Sequence, residues 1–229
     1  MSSVDITVLA DDEDVAGVVA ERLVDQARAG GSVVLTGGGT PRRAYEIAAE
    51  LAPDWSSVEL WWGDDRCVPP DDAESNFGMA KEALLDRLER QPAAVHRIRG
   101  ELGRQAGADD YEHELQDVGA FDLVLLGLGP DGHVASLFPN FPTLDVTDRD
   151  VVGSESGLEP FVDRITMTLP RLCATRELLF LVEGRGKAEA VARVLGAEPS
   201  RDAPGSLARA AAGGVTRAVL DREAASLLE

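Results

Sequence analysis

The sequence predicts an α/β domain with a doubly wound, mostly parallel open sheet, helices on both faces and a small added antiparallel portion. Short apolar runs alternate with segments of helical spacing along the whole chain. One run, Leu123 to Leu128, is apolar and bounded by glycines, which is typical of a parallel strand covered on both faces. Four glycine-bearing loops each follow an apolar run. Since no repeat or linker interrupts this pattern, residues 1–229 are predicted to form one domain.

The first half of the chain alternates strands and helices that have recognisable ends. Asp11, Asp12 and Asp14 can cap the first helix, and a glycine pair ends it. Thr40 is the predicted N-cap of the second helix, with Pro41 at its first position. The predicted elements are a strand near a sheet edge at 4–9, a helix to 30, a strand at 32–36, a helix to about 51, a strand at 58–62, a loop from 63, and a helix from 75 through 90.

The second half continues the alternation around the central apolar run. Phe121 to Asn140 joins that run to a polar triplet, which Pro130 and Gly132 prevent from extending the strand. The other predicted elements are a short strand at 96–98, a polar helix at 104–118, a long surface excursion at 139–160, an added strand at 164–168, a strand at 177–182, a helix at 188–195, a helix at 200–212, a strand at 215–220 and a terminal helix at 222–228.

The composition is strongly acidic. The chain holds 41 acidic and 22 basic residues, for a formal net charge of −19, so we expect neither nucleic acid nor anionic lipid as a partner. Lys81 and Lys187 are the only lysines, which fits either a salt-rich cytoplasm or a GC-rich genome with an acidic surface. If the substrate is anionic, its site is expected to be a local positive exception.

Targeting and metal-site signals are missing from the sequence. No apolar run reaches bilayer length, and the first residues are acidic where a signal peptide is basic, so a cytoplasmic protein is expected. Cys67 and Cys173 lie outside any CxxC pattern, and with three scattered histidines they do not make an ordinary zinc site. We expect both thiols to be reduced and structural.

The four glycine-bearing loops are TGGGT at 36–40, GDDR at 63–66, GPDGH at 129–133 and EGRGK at 183–187. If the strands before them are parallel, all four lie at one sheet edge, where ligands bind in open α/β sheets. The TGGGT loop leads into a helix and favours a phosphate, although it matches neither the nucleotide P-loop nor the dinucleotide pattern. Its glycines could also make only a tight turn, but Arg66 and Lys187 supply the cations that a phosphate needs.

His133 is the candidate general base, since it follows the central strand and has Asp131 beside it. The alternative is a loop histidine without a catalytic role. His96 and His113 are assigned structural or surface roles. Asp64 and Asp65 could contact the substrate or could instead form ion pairs with Arg66, and the sequence leaves both open.

Five ordered motifs resemble one family. They are LTGGGTP at 35–41, WWGDDRCVPPDDAESNFGMA at 61–80, LLGLGPDGHVASLFP at 125–139, RITMTLPRL at 164–172 and VEGRGKAEAV at 182–191. Together they resemble the 6-phosphogluconolactonases, within the larger group of sugar-phosphate isomerases and deaminases. The resemblance implies a NagB/RpiA-like, modified Rossmann fold. It also implies hydrolysis of 6-phospho-D-glucono-1,5-lactone in the pentose phosphate pathway, without metal or organic cofactor.

The resemblance also assigns roles to individual residues. His133 is similar to the base that activates water, with Asp131 orienting it. Where the family often has DER, this chain has Asp64, Asp65 and Arg66, which leaves the role of the middle carboxylate open. The residues that the resemblance places on the substrate or its phosphate are Gly38, Gly39, Thr40, Arg66, Lys187, Arg164 and Asn76.

Lactone hydrolysis needs little more than a placed water, a base and stabilisation of the oxyanion. Ser136 lies in no GxSxG elbow and is interpreted as a helix cap or loop contact. A backbone N–H of the loop from Gly129 to Gly132 is our hypothesis for the oxyanion. Phe141 to Asp163 could be a lid or a passive loop.

Two other functions fit the sequence less well. A glucosamine-6-phosphate deaminase is disfavoured because residues 135–139, Ala-Ser-Leu-Phe-Pro, lack the glutamate that assists ring opening in that family. A sugar-phosphate sensor is disfavoured because the chain has neither the length nor the basic charge for a DNA-binding module. A monomer that binds a small sugar-phosphate lactone is the default expectation.

Overall fold

A computed structural model describes residues 4–228. Its main sheet has seven strands, all parallel, in the order β1-β10-β9-β6-β2-β3-β5. A second sheet of three antiparallel strands has the order β4-β8-β7. The strands are β1 (Val4–Leu9), β2 (Gly31–Leu35), β3 (Val58–Trp62), β4 (Asp64–Arg66), β5 (Ala94–His96), β6 (Phe121–Leu126), β7 (Val151–Ser154), β8 (Arg164–Met167), β9 (Thr175–Val182) and β10 (Val215–Asp221).

Six α-helices accompany the two sheets within the described residues. Helices α1, α2 and α3 pack in succession, whereas α4 packs against β7 and β8 of the small sheet. The helices are α1 (Asp12–Ala29), α2 (Gly39–Leu51), α3 (Asn76–Ala83), α4 (Arg104–Glu114), α5 (Leu169–Cys173) and α6 (Ala188–Leu195). The predicted fold class is confirmed, including its antiparallel portion.

The central position of β6 explains its apolar sequence. Three strands lie on each side of it, and Leu123 through Leu126 are at most 1% exposed. Such a strand cannot expose a polar residue on either face until it ends. The polar residues that follow β6 are therefore the first that can reach a ligand at this edge.

Two buried tyrosines fix the strand ends next to β6. The Tyr45 hydroxyl accepts from the Thr36 N–H at 3.0 Å and donates to the Thr36 carbonyl at 2.9 Å. The Tyr111 hydroxyl contacts Trp62 in the same way, accepting from its N–H at 2.9 Å and donating to its carbonyl at 3.1 Å. The two hydroxyls therefore pair the backbone groups of Thr36, the first residue of the TGGGT loop, and of Trp62, the residue directly before the GDDR loop.

Several predicted boundaries are confirmed. Strand β1 is an edge strand, and the side chain of Asp11 caps α1 by accepting from the Asp14 N–H at 3.0 Å. The added strand at 164–168 is β8, and the helix at 188–195 is α6.

Three predicted helices are wrong in extent or kind. The helix at 75–90 ends at Ala83, because Leu84 leaves helical geometry, and continues as a single 3₁₀ turn. The helix at 104–118 ends at Glu114, and Asp117 has a φ of 67° that no α-helix contains. The segment at 200–212 forms only a 3₁₀ turn (Pro204–Leu207), in which the Ser206 hydroxyl bonds the backbone of Ser200.

Four further predictions need correction. The terminal helix at 222–228 is a series of turns. The strand at 96–98 lies earlier, at β5. The loop after Gly63 contains β4, and the surface excursion at 139–160 contains β7. Both strands are short, and each needs β8 as its partner, which lies far away in sequence.

None of the helices between residues 4 and 228 is long and apolar enough to cross a membrane. Cys67 and Cys173 are both free thiols, each partly exposed.

Candidate active site

A pocket of about 510 Å³ opens at the carboxyl ends of the central strands. All four glycine-bearing loops contribute to its wall, which confirms that they share one edge of the sheet. From these loops, the lining includes Gly38, Gly39, Thr40, Asp64, Arg66, Gly129, His133, Glu183 and Lys187. Arg164 and Asn76 also line it, so every predicted site residue except Asp131 reaches the pocket surface.

His133 is held by Asp131 and supported by an aromatic ring. Its Nδ1 lies 2.6 Å from Asp131 Oδ1, which also accepts from the His133 N–H at 3.1 Å. Because an ionised carboxylate only accepts, Nδ1 carries the hydrogen and Nε2 is left with a free lone pair. Phe138 packs against the imidazole with ring centroids 4.7 Å apart. Burial alone would raise the pKa of Asp131, but the hydrogen bond and charge of His133 outweigh burial and lower it.

The loop that carries His133 is closed by its own backbone. The Gly129 N–H donates to the His133 carbonyl at 2.9 Å, and the Gly132 N–H donates to the Gly129 carbonyl at 3.0 Å. A Cβ at Gly129 would lie 2.0 Å from His133 Nδ1, so only glycine fits there. Since these two amides are already engaged, neither is available to an oxyanion, and our hypothesis for this loop is wrong for both.

The glycine turn after β2 opens a helix without a side-chain cap. Helix α2 begins at Gly39, and Gly38 occupies the N-cap position with a φ of 117°, a conformation that favours glycine. The prediction of Thr40 as N-cap is therefore wrong, because the helix starts two residues earlier than predicted. Residues of the first turn line the pocket, and the N-terminus of a helix favours an anion.

Two arginines stand opposite each other at one side of the pocket. Arg66 on β4 and Arg164 on β8 are direct partners in the antiparallel ladder. Like charges in this arrangement repel. Burial, and after it the charge of Arg66, lowers the pKa of Arg164. The Nε of Arg66 is buried and has no partner among residues 4–228.

Other polar groups hold the two arginines in place. Arg66 Nη1 contacts the carbonyl of Glu74 and lies 3.4 Å from its carboxylate. Arg164 donates to the carbonyls of Val162 and Pro160, each at 3.1 Å. An anion bound between the guanidinium groups would relieve their repulsion.

Lys187 lies on another part of the wall, at the start of α6. Burial lowers its pKa, and Asp131 is the charge that opposes this effect. Its ammonium group is therefore coupled to the pair of His133 and Asp131.

The two carboxylates of the GDDR motif face different ways. Asp64 lines the pocket and accepts from the Ser136 hydroxyl at 2.6 Å, which makes Ser136 a loop contact. Asp65 is 2% exposed and points away from the pocket lining. Neither forms an ion pair with the Arg66 side chain, whose acidic partner is Glu74, so that alternative is wrong.

Sequence reasoning missed two contributors to the wall. Glu183 lines the pocket, and burial raises its pKa against the opposing effect of the Thr40 hydroxyl. Its position directly before the GRGK segment could have indicated that it reaches the pocket. Phe138 packs against His133, but only its position five residues after the histidine could have indicated this contact. Leu158 and Glu159 also reach the pocket, but whether 141–163 acts as a lid stays a prediction.

The pocket is close to neutral in formal charge. Its lining includes three cations, Arg66, Arg164 and Lys187, and three carboxylates, Asp64, Glu159 and Glu183. Compared with −19 for the whole chain, this lining is a local exception in charge, although it is balanced and not positive. Among residues 4–228, no group of three or more His, Cys, Asp or Glu side chains could hold a metal ion.

The other two histidines lie outside the pocket lining. His96 stacks on Trp61 with ring centroids 3.8 Å apart, and its Nδ1 lies 3.0 Å from Glu114. This packing agrees with the structural role predicted for it.

Comparisons with known proteins agree with this geometry. The family model described as glucosamine-6-phosphate isomerases/6-phosphogluconolactonase matches residues 10–217. A 6-phosphogluconolactonase of Streptomyces coelicolor is 38% identical, over 97% of this chain and 94% of its own length. The solved 6-phosphogluconolactonase of Trypanosoma brucei superposes with a TM-score of 0.87 at 25% identity, covering 100% of both chains. A solved monomeric glucosamine-6-phosphate deaminase has a TM-score of 0.86 at 20% identity, covering 97% of this chain and 99% of its own, which shows a shared fold.

Proposed function

Since the chain belongs to the family of glucosamine-6-phosphate isomerases and 6-phosphogluconolactonases, we propose that it hydrolyses 6-phospho-D-glucono-1,5-lactone to 6-phospho-D-gluconate. This ester hydrolysis is a step of the oxidative pentose phosphate pathway. The observation that carries the proposal is one pocket that is lined by His133, whose loop also carries Asp131, and by the paired Arg66 and Arg164 of β4 and β8. The first pair suits water activation, and the second suits a phosphate.

In the proposed reaction, His133 acts as the general base. Its Nε2 accepts a proton from water as the water oxygen bonds to the lactone carbonyl carbon. The oxyanion that results collapses and breaks the bond to the ring oxygen, which takes the proton back from His133. Asp131 keeps the imidazole in the required tautomer and stabilises its protonated form through the 2.6 Å contact.

The phosphate is proposed to lie at the glycine turn. Gly38, Gly39 and Thr40 offer the first turn of α2, and Arg66 approaches with its unpartnered Nε. Lys187 reaches the same pocket from its other side. Arg164 lies beside Arg66, and Asn76 supports the turn: a Cβ at Gly37 would lie 1.9 Å from its Oδ1.

The deaminase alternative lacks a specific observation in its favour. Ala135 and Phe138 are the pocket-lining residues of the 135–139 segment, so this segment supplies no carboxylate for ring opening. The likeness to the solved deaminase extends to the fold alone. For the cellular context we propose a cytoplasmic monomer, in keeping with the acidic composition and the small substrate.

The test generates the phosphorylated lactone in place from glucose 6-phosphate with an NADP-linked dehydrogenase. Acid release is then measured with and without the protein, and unphosphorylated gluconolactone serves as the parallel substrate. We expect acceleration of the phosphorylated lactone, and loss of at least about 10²-fold in kcat for His133→Asn. This variant should still bind 6-phosphogluconate. Retained turnover in the variant would rule out the mechanism, and no acceleration by the wild-type protein would rule out the function.

A further inference from the structure

Asp65 is a buried carboxylate that has no role in the proposed mechanism. It is 2% exposed, lies in the middle of β4 and does not line the pocket. Its neighbours Asp64 and Arg66 do line it. Alternate residues of a strand point to opposite faces, so β4 presents two side chains to the pocket and one away from it.

The Asp65 carboxylate accepts hydrogen bonds from four donors that lie in two separate segments of the chain. Oδ1 accepts from the Arg66 N–H and the Asn76 N–H, each at 2.7 Å. Oδ2 accepts from the Phe77 N–H at 3.0 Å and from the Ser75 hydroxyl at 3.2 Å. One carboxylate therefore binds β4 to the first turn of α3 and closes the intervening loop at both ends.

Two pocket residues depend on this junction. Asn76 leads α3, and its Nδ2 donates to the Asp64 carbonyl at 2.9 Å. Arg66 follows Asp65 directly, and its guanidinium contacts Glu74, which belongs to the same closed loop. Loosening the loop would therefore move Arg66 and its acidic partner together.

No cation balances this carboxylate at short range. Its hydrogen-bond partners are three backbone amides and one hydroxyl, and the neighbouring charge of Asp64 further raises its pKa. Burying an ionised group without an ion pair costs free energy, which here is offset only by its hydrogen bonds. The bonds it makes all shape the Arg66 side of the pocket.

We propose that Asp65 is a positioning residue that sets Arg66 and Asn76 for the phosphate end of the substrate. This inference rests on the proposed function and extends it, because it concerns how the phosphorylated lactone is distinguished from the unphosphorylated one. Asp65 itself touches no substrate.

The test compares both lactones in wild type and Asp65→Asn. Asparagine keeps an oxygen for Arg66 and Asn76 but turns an N–H₂ group toward the Phe77 amide, so one bond becomes a repulsion. We expect KM for the phosphorylated lactone to rise about tenfold while kcat changes less than about threefold. Turnover of gluconolactone should stay unchanged, which a general loosening of the structure would not allow.

Glu112→Gln is the matched control. The Glu112 carboxylate also accepts backbone amides, those of Asp150 and Val151, and supports the same small sheet without reaching the pocket. It should lower thermal stability but leave both KM values unchanged. If Asp65→Asn does not fold, Ser75→Ala removes one donor to Asp65, and we expect a smaller KM change in the same direction.

Calorimetric titration with 6-phosphogluconate separates this proposal from the proposed function. Weaker binding by Asp65→Asn, with wild-type affinity in Glu112→Gln, supports the positioning role even if the wild-type protein hydrolyses no lactone. Equal losses for both lactones, an unchanged KM in Asp65→Asn, or the same selective loss in Glu112→Gln would each overturn it.

Discussion

Asp131 acts on the reaction only through His133, and its charge state decides how. The lowered pKa of Asp131 keeps this carboxylate ionised through the neutral range. An ionised neighbour favours the protonated form of the imidazole. An ionised Asp131 therefore helps His133 to hold the proton that it takes from water.

Asp131→Asn should lower kcat about 10²-fold, because a neutral amide holds the imidazole less firmly and does not stabilise its protonated form. The measurement is kcat for the phosphorylated lactone at neutral pH, with the wild-type protein in parallel. An unchanged kcat would show that Asp131 does not act through His133.

The buried Asp65 should make stability depend on pH. Burial, opposed by the amides of Phe77, Asn76 and Arg66, raises its pKa from 3.8 to about 6. A carboxyl group with a higher pKa in the folded state binds protons more readily there, so its contribution is lost as pH rises. The free energy of unfolding should fall by about 2 kcal/mol from this group between pH 4 and 7.

Urea unfolding of wild type and Asp65→Asn across this range isolates the contribution, because other titrations are common to both proteins. The difference between them should shift in favour of the wild type at low pH. A difference that does not vary with pH would contradict the raised pKa.

Sequence analysis identified the pocket residues that directly follow four strands of the sheet. Their position after a buried strand is enough to place them at one edge of the sheet. The sequence did not settle the orientation of Asp64 and Asp65. Their opposite directions follow from the pairing of β4 with β8, about a hundred residues away in sequence. A three-residue polar strand has no local periodicity from which that pairing could be predicted.

At the scale of elements, Tyr45 and Tyr111 join helices to strand ends. Tyr45→Phe should cost about 1–3 kcal/mol, since it leaves the buried N–H and carbonyl of Thr36 without their partner. Because Thr36 begins the glycine turn, KM for the phosphorylated lactone should also rise. Tyr111→Phe is the paired comparison. It should cause a similar loss of stability, because it removes the two hydrogen bonds to the Trp62 backbone. Equilibrium unfolding and kinetics measure both effects, and an unchanged stability in either would contradict this account.

Long or strongly apolar elements were predictable, and short ones that rely on distant partners were not. The sequence predicted β6 and α1 because the apolar run of β6 and the capping residue of α1 are local features of the sequence. The segments at 200–212 and 222–228 have helical composition but form turns. In the first, Ala203 has non-helical backbone angles (φ −143°, ψ 78°) before Pro204. In the second, the Asp221 carboxylate accepts from the Ala224 N–H without a continuing helix.

At the scale of the whole molecule, the charge of −19 opposes an anionic substrate. Added salt screens this long-range repulsion more than it screens contacts inside a partly buried pocket. We therefore expect kcat/KM for the phosphorylated lactone to rise between about 0.01 and 0.15 M salt. Gluconolactone, which is uncharged, is the control. A fall in kcat/KM with salt would show that attraction by the paired arginines dominates.

The pairing of β1 with β10 has a consequence for synthesis. Six residue pairs, from Val4 with Thr216 to Leu9 with Asp221, join the first strand to the last. Among residues 4–228, β10 is the only neighbour of β1 in the sheet. On the ribosome, β1 therefore emerges long before its partner strand and stays unpaired while β2 to β9 are translated. This edge of the sheet is complete only once β10 has been synthesised.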